Sequence, residues 1–116
     1  MIRDNLEKVK DRIASVNHTQ QVRLVAVSKT RTLDEIQQAI NSGQRDFGEN
    51  YLQEALGKID VLNDTSLVWH FIGPIQSNKT AKISDNFDWV HSLDRIKIAQ
   101  RLSEQRPNKL DPLNVL

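Results

Sequence analysis

From its N-terminus the chain repeats one alternation, an apolar run followed by an amphipathic stretch. Ile2, Leu6, Val9, Ile13 and Val16 recur at four- and three-residue steps, which places them on one face of a helix predicted over 3–16. The run VRLVAVS (22–28) is too short and too apolar for a surface helix and reads as a buried strand. TLDE (32–35) has the form of a capping box, with Thr32 as N-cap and Glu35 three residues on. It opens a helix that presents Ile36 and Ile40, and Gly43 is placed to end it. DFGE (46–49) predicts a short strand, after which Asn50 is placed to cap a helix carrying Leu52, Leu56 and Ile59.

The alternation continues. LVWHFIG (67–73) is rich in aromatic and β-branched residues and predicts a strand stopped by Gly73-Pro74. SNKTAKI (77–83) predicts a short helix and FDWVHSL (87–93) another strand. Asp94 is placed to cap a helix through Ile98, Ala99 and Leu102, with Pro107 beyond its end. Strand and helix thus alternate four times, the pattern of an α/β fold with a parallel sheet of right-handed βα units. Doubly wound and barrel arrangements both remain open on this pattern. No GxGxxG or Walker loop follows any strand, which weakens the nucleotide-binding version. PLNVL (112–116) reads as the opening of another buried strand, so residues 1–116 read as half a domain.

Composition narrows the chemistry. A chain of 116 residues supports one modest core. Sixteen Lys+Arg against fifteen Asp+Glu leave a formal charge of +1, which offers no electrostatic case for a nucleic-acid or membrane-surface partner. The absence of cysteine excludes disulfides, thiolate metal sites and thiol catalysis. His18, His70 and His91 lack a close ligand spacing such as HxxxH, so no metal site is expected. The charged, periodic N-terminus is unlike a secretory signal and no apolar run approaches spanning length. The expectation is a soluble, cytoplasmic chain.

The polar residues fall in a particular place. Lys29 ends the first predicted strand, Glu49 and Asn50 the second, His70 and Gly73 lie on the third, and His91 and Ser92 on the fourth. In parallel α/β sheets and barrels, ligands bind at the carboxyl ends of strands. Each residue alone is explained by a strand end meeting water; the set together predicts a site.

Here the residues carry a resemblance. LVAVSKT, DFGENYLQEA, WHFIGPIQSNK and WVHSLDR, in this order and spacing, closely resemble the pyridoxal-phosphate homeostasis proteins, the YggS/PROSC family, over essentially the whole chain. The resemblance implies a (β/α)8 TIM-type barrel of the alanine racemase N-terminal kind, with the cofactor pyridoxal 5'-phosphate at the C-terminal rim. A complete barrel takes roughly 250 residues, so the chain would be its first half, apparently truncated.

By the same resemblance Lys29 holds the cofactor as a Schiff base. An amine must be neutral to attack an aldehyde, and a partly desolvated lysine has a lowered pKa. Period-two alternation places Val25 and Val27 on the side of the strand that Lys29 occupies, a low-dielectric floor for that amine. Asn50 is implied as a neighbour of the cofactor ring, alongside a compatible role as helix cap. His70 is placed near the cofactor, against the commoner outcome of a satisfied core histidine. Asn78 and Lys79 are assigned to the rim or the phosphate, against a solvated loop. The functional expectation is a carrier that binds the cofactor without turnover and takes part in vitamin B6 and amino-acid homeostasis. The alternative is a pyridoxal-phosphate-dependent racemase-like or decarboxylase-like enzyme. Those enzymes add a β domain, whereas this chain has no all-β segment and one tyrosine, Tyr51, at a helix start. A fragment that folds or associates without binding is the third class. The open edges of half a barrel predict self-association or pairing with a C-terminal half.

Overall fold

The computed structural model describes residues 2–16, 22–91 and 93–116. His18 and Ser92 therefore lie outside the described residues. The alternation resolves into α1 (Ile2–Ser15), β1 (Ala26–Val27), α2 (Leu33–Asn41), β2 (Asp46–Glu49) and α3 (Leu52–Leu62). There follow β3 (Val68–Phe71), a 3₁₀ turn (Ser77–Lys79), α4 (Thr80–Asn86), β4 (Trp89–Val90), α5 (Ile96–Gln105) and β5 (Asn114–Val115). The fifth strand forms within PLNVL, but it is exposed where a buried strand is expected, because it lies at the edge of the sheet with only β4 beside it.

The sheet is entirely parallel and its spatial order is β1-β2-β3-β4-β5, the order of the sequence. That order separates the two arrangements left open by the alternation. A doubly wound sheet reverses direction at a switch point, whereas here every strand is added beside its predecessor. Right-handed crossovers taken in one direction put the helices on one face. Phe47, Trp69, Phe71 and Val90 point into that helical layer and join Ile36, Ala39, Ile83, Ile98 and Leu102 in the core. The opposite face carries the row Val27, Gly48, His70, Trp89 and Asn114, matched residue by residue across the ladder.

Local chemistry explains most boundaries. Thr32 accepts from the Glu35 N–H at 3.1 Å while Glu35 accepts from the Thr32 N–H at 3.0 Å, so the capping box is complete. Gly43, at φ 99°, turns the chain after α2. β1 is shorter than the expected 22–28 because a side chain takes over its first half. The buried Gln44 amide donates to Leu24 O and Asp46 O, each at 2.8 Å, and bridges the two segments in place of backbone. β4 is shortened similarly, since the Asp88 carboxylate, not its backbone, accepts the Trp69 N–H at 2.9 Å.

Two expected caps do not form. α3 begins after Tyr51 and α5 after Arg95, and neither has a side-chain cap bond. Asp94 lies one residue too early. Asn50 is held against Gly73, whose missing Cβ would stand 2.7 Å from Asn50 Cβ and 2.8 Å from its carbonyl oxygen. α3 also buries Ala55 and Lys58 instead of Leu52, Leu56 and Ile59, which remain half-buried. Among the described residues no helix is long and apolar enough to cross a membrane.

The Gly73–Asn50 approach is directly testable. Gly73→Ala is expected to lower stability by about 1–3 kcal/mol, since backbone must give way. Gly57→Ala, mid-α3 with nothing within 4 Å of a new Cβ, is expected to raise it by about 0.5–1 kcal/mol. Denaturant titration of both variants reads the contrast.

Candidate functional site

Lys29 sits in a turn at the end of β1. The Ser28 carbonyl accepts the Arg31 N–H at 3.1 Å, which makes Lys29 the second residue of the turn and Thr30 the third. Thr30 has φ 61°, the positive value that the third position of a type II turn requires and that glycine normally supplies. For a β-branched residue such backbone strain costs on the order of 1–3 kcal/mol and persists where the surroundings over-determine it.

Those surroundings are ionic. Lys58, only 6% exposed, donates to the Ser28 carbonyl at 2.6 Å and lies 2.8 Å from both Glu49 Oε2 and Glu54 Oε2. Glu54 accepts the Thr30 N–H at 2.7 Å, and the Ser28 hydroxyl donates to Glu49. The Lys58 ammonium, aided by the Thr30 N–H, holds the Glu54 carboxyl below the usual carboxylate range. Lys29 itself is exposed. Among the described residues no carboxylate lies within ion-pair distance of its ammonium. The low-dielectric floor expected beneath it is open, because Val27 is 51% exposed. The valines that would desolvate the amine need a cover on the open face of the sheet.

Asn50 and Lys79 come together elsewhere. With Tyr51, Gln76, Pro74 and Lys82 they line a groove of about 440 Å³ between the starts of α3 and α4. The Asn50 Oδ1 is buried there without a hydrogen-bond partner among the described residues. Asn78 is exposed in the 3₁₀ turn and does not line the groove, and neither does Lys29.

His70 belongs to a third group, on the open face. It is 2% exposed, and its Nε2 lies 2.8 Å from Asp46 Oδ2 and its Nδ1 3.1 Å from His91 Nε2. The Asp46 carboxylate only accepts, so His70 Nε2 carries the proton and Nδ1 accepts from His91. Trp89 stacks on the ring at 5.6 Å, and Arg23 pairs with Asp46 at 3.4 Å. Burial lowers the His70 pKa despite the opposing pull of Asp46.

Comparison with known proteins gives this rim its context. The pyridoxal phosphate homeostasis protein of Pseudomonas aeruginosa is 58% identical over 98% of this chain and 52% of its own length. That of Escherichia coli is 48% identical over 99% of this chain and 53% of its own. By sequence, the chain matches about half of a pyridoxal phosphate homeostasis protein. It spans about half the length of the curated relatives it matches. No family model matches. PipY of Synechococcus elongatus, solved with pyridoxal phosphate bound, superposes with a TM-score of 0.80 at 39% identity, over 90% of this chain and 48% of PipY.

Lys29 lies at the carboxyl end of the first strand, Asn50 and Lys79 line one groove, and His70 is buried on the open face with both ring nitrogens paired. Sequence reasoning missed Lys58 and Glu54. The available signal was the i,i+4 spacing of Glu54 and Lys58 behind Glu49, a carboxylate on the same face of its strand as Phe47.

The lowered His70 pKa carries a pH dependence with a definite sign. The unfolded chain binds the proton more readily, so this contribution to stability is intact above about pH 6.5 and is lost as pH falls below it. Melting temperature is expected to drop on acidification through that range, and more shallowly in His70→Gln, which has no ring to protonate.

Proposed function

We propose that this chain forms the part of a pyridoxal 5'-phosphate carrier that bears the attachment lysine. The observation that carries the reading is the exposed amine of Lys29 on a rigidly held turn at the carboxyl end of a parallel strand. The 58% identity to a pyridoxal phosphate homeostasis protein and the likeness to PipY with the cofactor bound support it. The cofactor supplies an aldehyde. Lys29 would hold it through its amine as a Schiff base, the carbonyl oxygen being lost as water. Asn50 offers an unpartnered buried oxygen and Lys79 a cation of the same groove, with Asn78 beside it on the rim. Tyr51, the chain's one tyrosine, is exposed at the start of α3, and the reading is a carrier without turnover in vitamin B6 and amino-acid homeostasis.

The five strands in sequence order support an arc of a (β/α)8 barrel of the alanine racemase N-terminal kind, with Val27, Gly48, His70 and Trp89 facing the lumen. β1 and β5 then stand at open edges, where Val27, Val115 and Leu116 are exposed. A second half-barrel of the same family is the proposed partner, and size-exclusion chromatography is expected to show a complex of one copy of each half. Co-expressed halves that elute separately would overturn the pairing.

The attachment is tested by borohydride reduction in the presence of pyridoxal phosphate and peptide mapping. Lys29 is expected to carry the label and Lys29→Ala to abolish it, with no amino-acid racemisation or transamination above the free-cofactor background. Specific labelling elsewhere, with Lys29 unmodified, would sink the assignment.

A further inference from the structure

Two side chains of α3 grip the peptide units on either side of Lys29. The Lys58 ammonium donates to the carbonyl of the Ser28–Lys29 peptide at 2.6 Å. Glu54 accepts the N–H of the Lys29–Thr30 peptide at 2.7 Å. The two lie one helical turn apart and pair with each other at 2.8 Å, and Lys58 is anchored beneath by Glu49, which is fully buried. Both peptide planes flanking one exposed lysine are therefore fixed from the same helix, while the lysine side chain remains solvent-exposed.

We propose that Glu54 and Lys58 are positioning residues for Lys29: they set the direction in which its side chain leaves the turn and so present the amine to an aldehyde. The proposal rests on the reading that Lys29 holds pyridoxal phosphate. Three observations carry it. A turn that needed only to reverse the chain would use glycine at the positive-φ position, yet Thr30 is kept there at 61° and its N–H is held by a carboxylate. A buried ammonium is an expensive way to hold a loop, since a well-packed apolar contact is often as stable; what the charge adds is a directed bond to one carbonyl. Lysine, finally, is long and rotamer-rich. Fixing both adjoining peptides confines the volume that its amine sweeps, which raises the effective concentration of the amine at a bound aldehyde.

Glu54→Ala is the informative variant. It removes the acceptor of the Thr30 N–H, while Lys58 keeps Glu49 and the Ser28 carbonyl as partners, so the fold is expected to survive. The experiment labels the full chain with pyridoxal phosphate and borohydride and compares Lys29 with the exposed Lys8 of α1 in the same molecule. Thr30 amide exchange and melting temperature are followed in parallel. In Glu54→Ala the Lys29-to-Lys8 ratio is expected to fall on the order of tenfold, with the Thr30 amide losing protection and the melting temperature nearly unchanged. Glu54→Gln, whose amide oxygen still accepts the Thr30 N–H, is expected to recover most of the labelling. An unchanged ratio in Glu54→Ala, with the Thr30 amide deprotected, would overturn the proposal alone. So would Glu54→Gln failing to recover, because charge and not the grip would then act on Lys29. If the unmodified chain showed no preference for Lys29 over Lys8, the pyridoxal phosphate reading would fall and the proposal with it.

Discussion

Burying the ammonium of Lys58 sets the terms for the strand ends around it. Removing such a charge from water costs several kcal/mol even after the protein relaxes, and stranding it by deleting one partner costs about 3–5 kcal/mol. Here it is met by Glu49 of β2, Glu54 of its own helix and the Ser28 carbonyl after β1. The end of β1 at Ser28, 30 residues before Lys58 in sequence, must therefore dock on the adjoining β2 and α3 in one register. A one-residue slip of β1 against β2 would turn Ser28 to the opposite face and take its hydroxyl from Glu49. The ion pair therefore acts mainly as a specificity device. It selects one arrangement of β1, β2 and α3, and Lys29 follows from that arrangement.

Close backbone approach does for the next strands what charge does for the first. A Cβ on Gly48 would stand 3.2 Å from Val25 and 3.3 Å from Ile72, so these side chains close over the open face of β2. Gly73 lets the end of β3 lie against Asn50. The same contact explains two features of Asn50. Its backbone is committed to β3, so its side chain does not cap α3, and its Oδ1 remains buried and unpartnered beside the groove. The glycine of FIGP is a steric requirement of the rim, whereas a Cβ on that of FGEN would need the Val25 and Ile72 side chains to give by a few tenths of an ångström.

What was legible in the sequence was what local chemistry decides. The Thr32–Glu35 box, the turn at Gly43 and strand DFGE form as expected because their partners lie within a few residues. Strand lengths at β1 and β4 were overestimated because Gln44 and Asp88 replace backbone ladder groups with side-chain ones, and hydrophobic patterning does not register that substitution. The caps assigned to Asn50 and Asp94 obeyed a local rule that tertiary contact and a one-residue shift override. Lys58 was missed for a different reason: periodicity marks apolar faces, and a lysine on the buried face breaks that pattern, leaving only its i,i+4 spacing with Glu54 as a signal. The barrel itself came from resemblance, and sequential strand order is its structural counterpart. The roles given to Lys29, Asn50, His70, Asn78 and Lys79 remain proposals.

The three polar groups near the rim differ in what they leave free, and that difference separates scaffold from reactive part. His70 has both ring nitrogens engaged, by Asp46 and by His91, with Trp89 against its ring face. His91, which is half-buried, is the more exposed of the two histidines. Asn50 has a fixed backbone and an unpartnered oxygen. At Lys29 the division is sharper still: both flanking peptides are bonded and strained into place, while the amine has no ion-pair partner among the described residues. A group that must bond covalently to an incoming aldehyde needs this combination, because a salt-bridged ammonium would first have to break its pair and an unanchored loop would first have to be ordered. The buried pair beneath the turn supplies the order in advance and leaves the amine uncommitted.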